Sequence, residues 1–131
     1  MNRLQAVVIK IDSLENLTIV QFEFKDIILS MMSLELSNID LGTKVLLSIN
    51  ASHIAISKGL SGDISLSNRF DCIIKKLVKG KLLSSITLDF QGTPLTSIIT
   101  TNSVNRMNLK ENDEVTALVK ASELSIQKVI T

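Results

Sequence analysis

Little in this chain of 131 residues can carry covalent chemistry. It has one cysteine, Cys72, and one histidine, His53. A disulfide within the chain is therefore excluded, and neither a nucleophile–base pair nor a zinc-type cluster has its components close together in sequence. Tryptophan and tyrosine are absent and only 3% of residues are aromatic, which removes the stacking platforms that a single-stranded nucleic acid needs. The formal net charge of +1 predicts no large electrostatic field. No apolar run approaches the length of a membrane span. Arg3, Lys10 and Asp12 interrupt the apolar stretches near the N-terminus, which does not read as a signal peptide. A cytoplasmic protein without membrane contact is expected, and a lone cysteine agrees with a reducing compartment.

What is present is aliphatic and repeated. Hydrophobic residues make up 45% of the chain, and Ile, Leu and Val dominate them, a composition suited to strands with aliphatic faces. Asn2-Arg3-Leu4-Gln5-Ala6-Val7-Val8 returns as Asn68-Arg69-Phe70-Asp71-Cys72-Ile73-Ile74, and Asn50-Ala51-Ser52-His53-Ile54-Ala55-Ile56 returns as Lys120-Ala121-Ser122-Glu123-Leu124-Ser125-Ile126. The offset is 66 residues at the front and 70 at the back, so the second copy carries an insertion of loop size between those landmarks. Two modules are expected, at residues 1–60 and 65–131, with Lys-Gly-Leu-Ser-Gly-Asp-Ile-Ser at 58–65 as the linker. A unit of roughly 65 residues buries only about 60% of its unfolded surface and is marginal alone. Each module should lean on another module or another chain, and a homo-oligomer is expected. Cys72 stands in the place of Ala6, which makes it a small core residue.

Within each copy the pattern predicts five short strands and a helical turn. Residues 3–12 and 69–78 read as first strands, Leu17–Phe24 and 83–90 as second strands, and a change of phase near Val20 suggests a bulge. Gln91-Gly92-Thr93-Pro94 reads as a hairpin turn ahead of a third strand, Leu95–Thr100; the first copy has only Lys25-Asp26 there. Thr101–Leu109 has hydroxyl and amide residues ahead of a short apolar-spaced turn and predicts one or two helical turns. Asn112 replaces Gly42 at a position tolerant of positive φ before strands Glu114–Lys120 and Glu123–Gln127. The fold class is all-β with short helical turns: two tandem five-stranded barrels of the oligonucleotide/oligosaccharide-binding type.

The chemistry-bearing residues do not make an enzyme. His53 stands in the place of Glu123, a surface strand position, and the carboxylates are scattered with no context for an acid–base pair. No bound metal cation and no cofactor are expected. The phenylalanines exchange with aliphatic or like residues across the copies, Phe70 with Leu4 and Phe90 with Phe24, as core positions do. Lys75, Lys76, Lys79 and Lys81 flank a turn and read as a solvated strand end, so nucleic acid is not the expected partner. What remains is a set of donors around loops: Ser65, Ser67, Asn68, Thr100, Thr101, Ser103, Lys120 and Ser122. Hydroxyls, main-chain N–H groups and one ammonium suit a small oxyanion. The set has no carboxylate to accept a proton, which disfavours phosphate and favours molybdate, tungstate or sulfate. Serine and threonine are also ordinary at strand ends and turns, so these residues by themselves leave a binding site and plain turn chemistry both open.

Thr100-Thr101-Asn102-Ser103-Val104, then Leu109, Asp113-Glu114-Val115 and Ala117-Leu118-Val119-Lys120-Ala121-Ser122-Glu123-Leu124, resemble the Mop domains of molbindins, the small molybdate-binding proteins, and related domains of molybdate transporters and molybdate-dependent regulators. Lys-Ala-Ser is the most specific element. Ser65-Leu66-Ser67-Asn68-Arg69-Phe70 resembles the family's Ser-Ala-Arg-Asn-x-apolar entry, with Ser67 where Arg is usual. The resemblance implies oxyanion pockets between modules. Ser65 and Ser67 would form one side, and Thr100, Ser103, Lys120 and Ala121 (through its N–H) the other, with Ser122 adjacent and Asn68 of the entry motif a further candidate. Arg69, two residues beyond Ser67, is a candidate to replace the missing Arg. In the first copy the sequence starts at Met1 without a counterpart of the entry Ser, Asn50 replaces Lys120, Ser33 is the hydroxyl equivalent of Thr100, and Leu36 lies near the place of Ser103. Asn2, Arg3, Ser33 and Ser52 are the weaker candidates there. The resemblance implies non-catalytic molybdate or tungstate binding for storage, buffering or sensing, or a regulatory role on a transporter or transcription regulator.

Overall fold

The computed structural model describes residues 2–34, 36 and 38–130. The first copy begins with β1 (Asn2–Leu14), β2 (Leu17–Phe24) and β3 (Ile27–Leu34), joined as an antiparallel meander. It continues with β4 (Lys44–Ile49), a 3-10 turn (Ala51–His53) and β5 (Ala55–Ser57). The second copy repeats the order as β6 (Asn68–Lys79), β7 (Leu83–Phe90), β8 (Thr93–Thr100), α1 (Thr101–Met107), β9 (Glu114–Val119), a second 3-10 turn (Ala121–Glu123) and β10 (Leu124–Val129).

These strands form two five-stranded sheets, as the all-β expectation requires, but the sequence copies and the sheets are not the same units. One sheet has the order β10-β4-β1-β2-β3 and the other β5-β9-β6-β7-β8. Each sheet thus takes its fifth strand from the opposite copy. Leu124 pairs with Ile49 and Ser125 with Ser48, while Ala55 pairs with Leu118 and Ile56 with Ala117. The 3-10 turn after β4, and its equivalent after β9, carries the chain across to the other sheet instead of back along its own. The boundary between 1–60 and 65–131 divides the repeat; β5 and β10 each lie on the far side of it in the sheets.

Alternation explains the strands. In β2 the residues Thr18, Val20, Phe22 and Phe24 face inward without interruption, so Leu17 and Ile19 are outer-face residues and there is no phase change at Val20. The bulge lies instead in β1, between Val8 and Lys10, and its counterpart in β6 between Ile74 and Lys76. The extra residue bends each long strand so that its first half pairs with β4 or β9 and its second half with β2 or β7. The β7–β8 turn is only Gln91-Gly92, both at positive φ (48° and 88°), as a two-residue hairpin of matching twist requires. Pro94 therefore sits inside β8, where an edge strand tolerates it. Asn112 and Gly42 both adopt positive φ, at 72° and 87°.

A single apolar core joins the two sheets. Phe24 and Phe90, the same position in the two copies, stack with ring centroids 6.0 Å apart, and Phe70 meets Phe90 edge-on at 5.3 Å. Cys72 is buried in this core, and burial pushes its thiol pKa up to about 12, so no thiolate nucleophile is available there.

Two buried asparagines stitch the halves together. Asn68 Oδ1 accepts the Ser30 N–H at 2.7 Å and its Nδ2 donates to the Ser30 carbonyl at 3.0 Å. Asn2 does the same to Thr96, at 2.7 and 2.8 Å. Each carboxamide thus acts as a short piece of β-ladder against the edge strand of the opposite sheet, satisfying both main-chain groups of one residue.

Candidate functional site

The sheet register decides which candidate residues can meet. Asn68 is paired with Val119, so Ser67 at the start of β6 and Lys120 at the end of β9 leave the sheet side by side. Ser65, Ser67, Lys120, Ala121 and Ser122 gather at this end of β6, with Ser65, Ser67, Lys120 and Ser122 exposed and Ala121 partly so. The 3-10 turn Ala121–Glu123 packs against β3 of the first copy. Lys120 adopts an extended conformation at the head of the turn (φ −69°, ψ 145°), and its side chain makes no capping hydrogen bond.

Thr100 and Ser103 lie at the other end of β6. Thr100 is paired with Leu83, and the Leu83 carbonyl accepts the Gly80 N–H at 2.8 Å, just beyond Lys79. Thr101 anchors the same corner, its hydroxyl on the Gly80 carbonyl at 2.8 Å. Thr100 Oγ1 caps α1 by accepting the Ser103 N–H at 3.1 Å and donates to Ser103 Oγ at 3.0 Å. The 12 residues of β6 separate this corner from Lys120, on the order of 35 Å of chain at strand rise. Within one chain Thr100 and Ser103 do not join Lys120 and Ala121, because β9 pairs with the first half of β6 whereas β7, which carries β8, pairs with the second.

The exchange of fifth strands regroups them. The first 3-10 turn packs on β8 and the second on β3. A hydroxyl of β8, Ser97 Oγ, donates to the Ile54 carbonyl just after the first turn at 2.7 Å. The hydroxyl-rich third strand of the second copy therefore lies beside the Asn50 turn, and the Lys120 turn lies beside the poorer strand of the first. That strand has Leu34 opposite Leu17, as Thr100 is opposite Leu83. Leu34 is the positional equivalent of Thr100, and Ser33, taken as that equivalent from sequence, corresponds to Ile99 and donates to the Leu34 carbonyl at 3.4 Å.

Several other candidates are engaged structurally. The side chains of Asn68 and Asn2 are held by their clamps on Ser30 and Thr96, which turns both amides away from the surface. Arg69 Nη2 donates to the Ile64 carbonyl at 3.4 Å, tying it to the linker, and Arg3 Nε donates to Gln127 at 3.0 Å. Asn50 caps its own turn: its Oδ1 accepts the Ser52 N–H and the Ser52 hydroxyl, each at 3.0 Å.

A cleft of about 210 Å³ opens between the two turns, lined by Ser48, Asn50, His53, Ser122, Glu123 and Ser125. Here His53 Nδ1 lies 2.9 Å from Glu123 Oε2. His53 is a 3-10 turn residue and not a strand residue, and its partner is its own repeat equivalent. The alignment of the copies places these two in one column; their contact follows only from the exchanged strands. A larger hollow, about 570 Å³, is lined in part by Asp71, Glu114 and Thr116. Its two carboxylates make it electrostatically unsuited to an anion. Among the described residues no three His, Cys, Asp or Glu side chains converge to hold a metal ion, and no helix is long and apolar enough to cross a membrane.

Comparison with known proteins agrees with this architecture. The TOBE domain model matches residues 64–126. A molybdate-binding protein from Sporomusa ovata, solved at high resolution, is 40% identical over 51% of this chain and 100% of its own, with a TM-score of 0.50. The cytoplasmic molybdate-binding protein ModG, solved with molybdate bound, shares the fold at a TM-score of 0.88 over 95% of this chain and 94% of its own, at 21% identity. No curated protein is similar enough in sequence to count as a relative.

Proposed function

We infer the function from the family to which this chain belongs, the molbindins built of Mop, or TOBE, domains: it binds molybdate or tungstate reversibly, without turnover, in the cytoplasm. The observation that carries this reading is the gathering of Ser65, Ser67 and the Lys120-Ala121-Ser122 turn at one end of β6. A tetrahedral dianion there meets hydroxyls, the Ala121 N–H and one ammonium. The neighbouring Glu123 carboxylate is engaged by His53, whose Nδ1 lies 2.9 Å from Oε2. Affinity comes from preorganised donors and not from net charge. Thr100 and Ser103 would join such a pocket from a second chain, since their own chain holds them at the opposite end of β6. A homo-oligomer is thus part of the reading. Storage or buffering is the first reading of its role, with oxyanion sensing on a transporter or regulator as the second.

Calorimetric titration with molybdate, tungstate and sulfate, with assembly mass measured in parallel, tests it. Molybdate or tungstate at about a hundred times its Kd should add roughly 2.7 kcal/mol of stability. Lys120→Ala should weaken binding by roughly ten- to a hundredfold, and Lys76→Ala hardly at all. Equal losses from the two lysines, or stabilisation by an oligonucleotide and not by the oxyanions, would refute the reading.

A further inference from the structure

The two 3-10 turns have nearly the same backbone and opposite internal chemistry. Asn50 and Lys120 head them with φ, ψ of −68°, 134° and −69°, 145°, and each is followed by Ala-Ser. In the first turn the Asn50 carboxamide oxygen receives both the Ser52 N–H and the Ser52 hydroxyl, at 3.0 Å each. In the second turn the equivalent donors are the N–H and hydroxyl of Ser122, and the side chain at the head is an ammonium, which has no lone pair with which to accept them. Lys120 caps nothing. An amide oxygen with two donors converging on it is placed as one oxygen of a bound oxyanion would be.

We propose that Asn50 is a built-in plug, its carboxamide oxygen standing where a ligand oxygen stands in the second copy, so that each chain loads an oxyanion at the Lys120 turn and leaves the Asn50 turn shut. The proposal rests on the oxyanion reading and specifies which half of the duplication takes the ligand. The plug works twice: it fills the acceptor position, and it withholds the positive charge that Lys120 brings. Removal of the side chain therefore frees donors, and replacement by lysine frees them and adds the charge.

The test is calorimetric titration of the full chain with molybdate, comparing the parent with Asn50→Ala, Asn50→Lys and Lys120→Asn, and with melting in the absence of molybdate as the folding control. Asn50→Lys should fold, because Lys120 already occupies the same backbone conformation. It should raise the amount of molybdate bound per chain above the parent's. Asn50→Ala should leave the parent's binding intact or add a weak class of sites, and Lys120→Asn should lower affinity by roughly tenfold or more by transplanting the plug. Loss of molybdate on Asn50→Ala would make Asn50 a ligand group and overturn the proposal, as would an unchanged amount bound by Asn50→Lys. In either case the parent still binds, so the oxyanion reading stands. Absence of binding by the parent and by Asn50→Lys alike would remove that reading and the plug with it.

Discussion

The Asn50 turn and the Lys120 turn occupy equivalent places in two copies of one module, follow equivalent strands and share one backbone conformation. They differ in what surrounds the shared Ala-Ser. The first has a self-satisfied amide and lies on β8, whose end carries Thr100; the second has an uncapped lysine and lies on β3, which ends in Leu34. The duplication preserved the scaffold and let the polar side chains diverge. The exchange of fifth strands then brought each turn against the third strand of the other copy. A binding residue in this protein therefore cannot be assigned to a copy by its position in sequence alone.

Three substitution pairs probe how equivalent the copies are. The largest effect is expected in the shared core. Phe90 contacts both Phe24 and Phe70, whereas Phe24 has Phe90 as its ring partner and lies near the rim beside Lys25. Phe90→Ala should cost about 4–5 kcal/mol and Phe24→Ala about 3 kcal/mol in denaturant unfolding; equal losses would mean that the rim and centre of the core are packed alike. Next come the asparagine clamps. Asn68→Ala leaves both main-chain groups of Ser30 without their partner and should cost about 2–3 kcal/mol. Asn2→Ala should cost somewhat less, because Asn2 is 7% exposed and Asn68 fully buried. A reversed order would show that the N-terminal clamp dominates.

The smallest effect separates the turns before β4 and β9. Thr43 Oγ1 accepts the Asp40 N–H at 3.1 Å in the first copy, and Asp113 Oδ2 accepts the Lys110 N–H at 3.0 Å in the second. Only the second can titrate. Desolvation works to raise the Asp113 pKa, but the Lys58 ammonium at 3.2 Å and the Lys110 N–H outweigh it and hold the carboxyl below its ordinary value. A depressed folded pKa contributes stability above the unfolded value, near 4, and that stability is lost as pH falls through the folded value. Asp113→Asn should therefore lower Tm at pH 7 and converge with the parent as pH falls through the folded value, while Thr43→Val shows no such convergence.

Much of the fold was legible in the chain itself. Alternation marks β1, β2, β6 and β7 to within a residue or two, and the place of Cys72 opposite Ala6 in the repeat marks it as core. Hydroxyls ahead of Val104 marked α1. The bulge was misplaced because Leu17 and Ile19 are apolar outer-face residues that imitate an inner face. In the candidate site, the sequence offers the Lys-Ala-Ser turn with Ser65 and Ser67, and the pairing of Asn68 with Val119 puts the segments that carry them at one end of β6. The grouping of Thr100 and Ser103 with Lys120 was not found in the chain's own fold, and the clamping roles of Asn2 and Asn68 were missed. The clamps and the separation of Thr100 from Lys120 both depend on which strand lies across from which, for which the chain carries no local signal.

By itself the sequence determined the duplication, the strand periodicity and the single Lys-Ala-Ser turn, because local alternation and residue type are written along the chain. Only the tertiary structure decided that β5 and β10 change sheets, that His53 meets Glu123, and that Asn68 and Asn2 are clamps. Two similar copies offer β4 and β9 two nearly equivalent fifth strands. The choice between them depends on the path of a short 3-10 turn and on a core shared by both halves, and neither is a property of any segment alone.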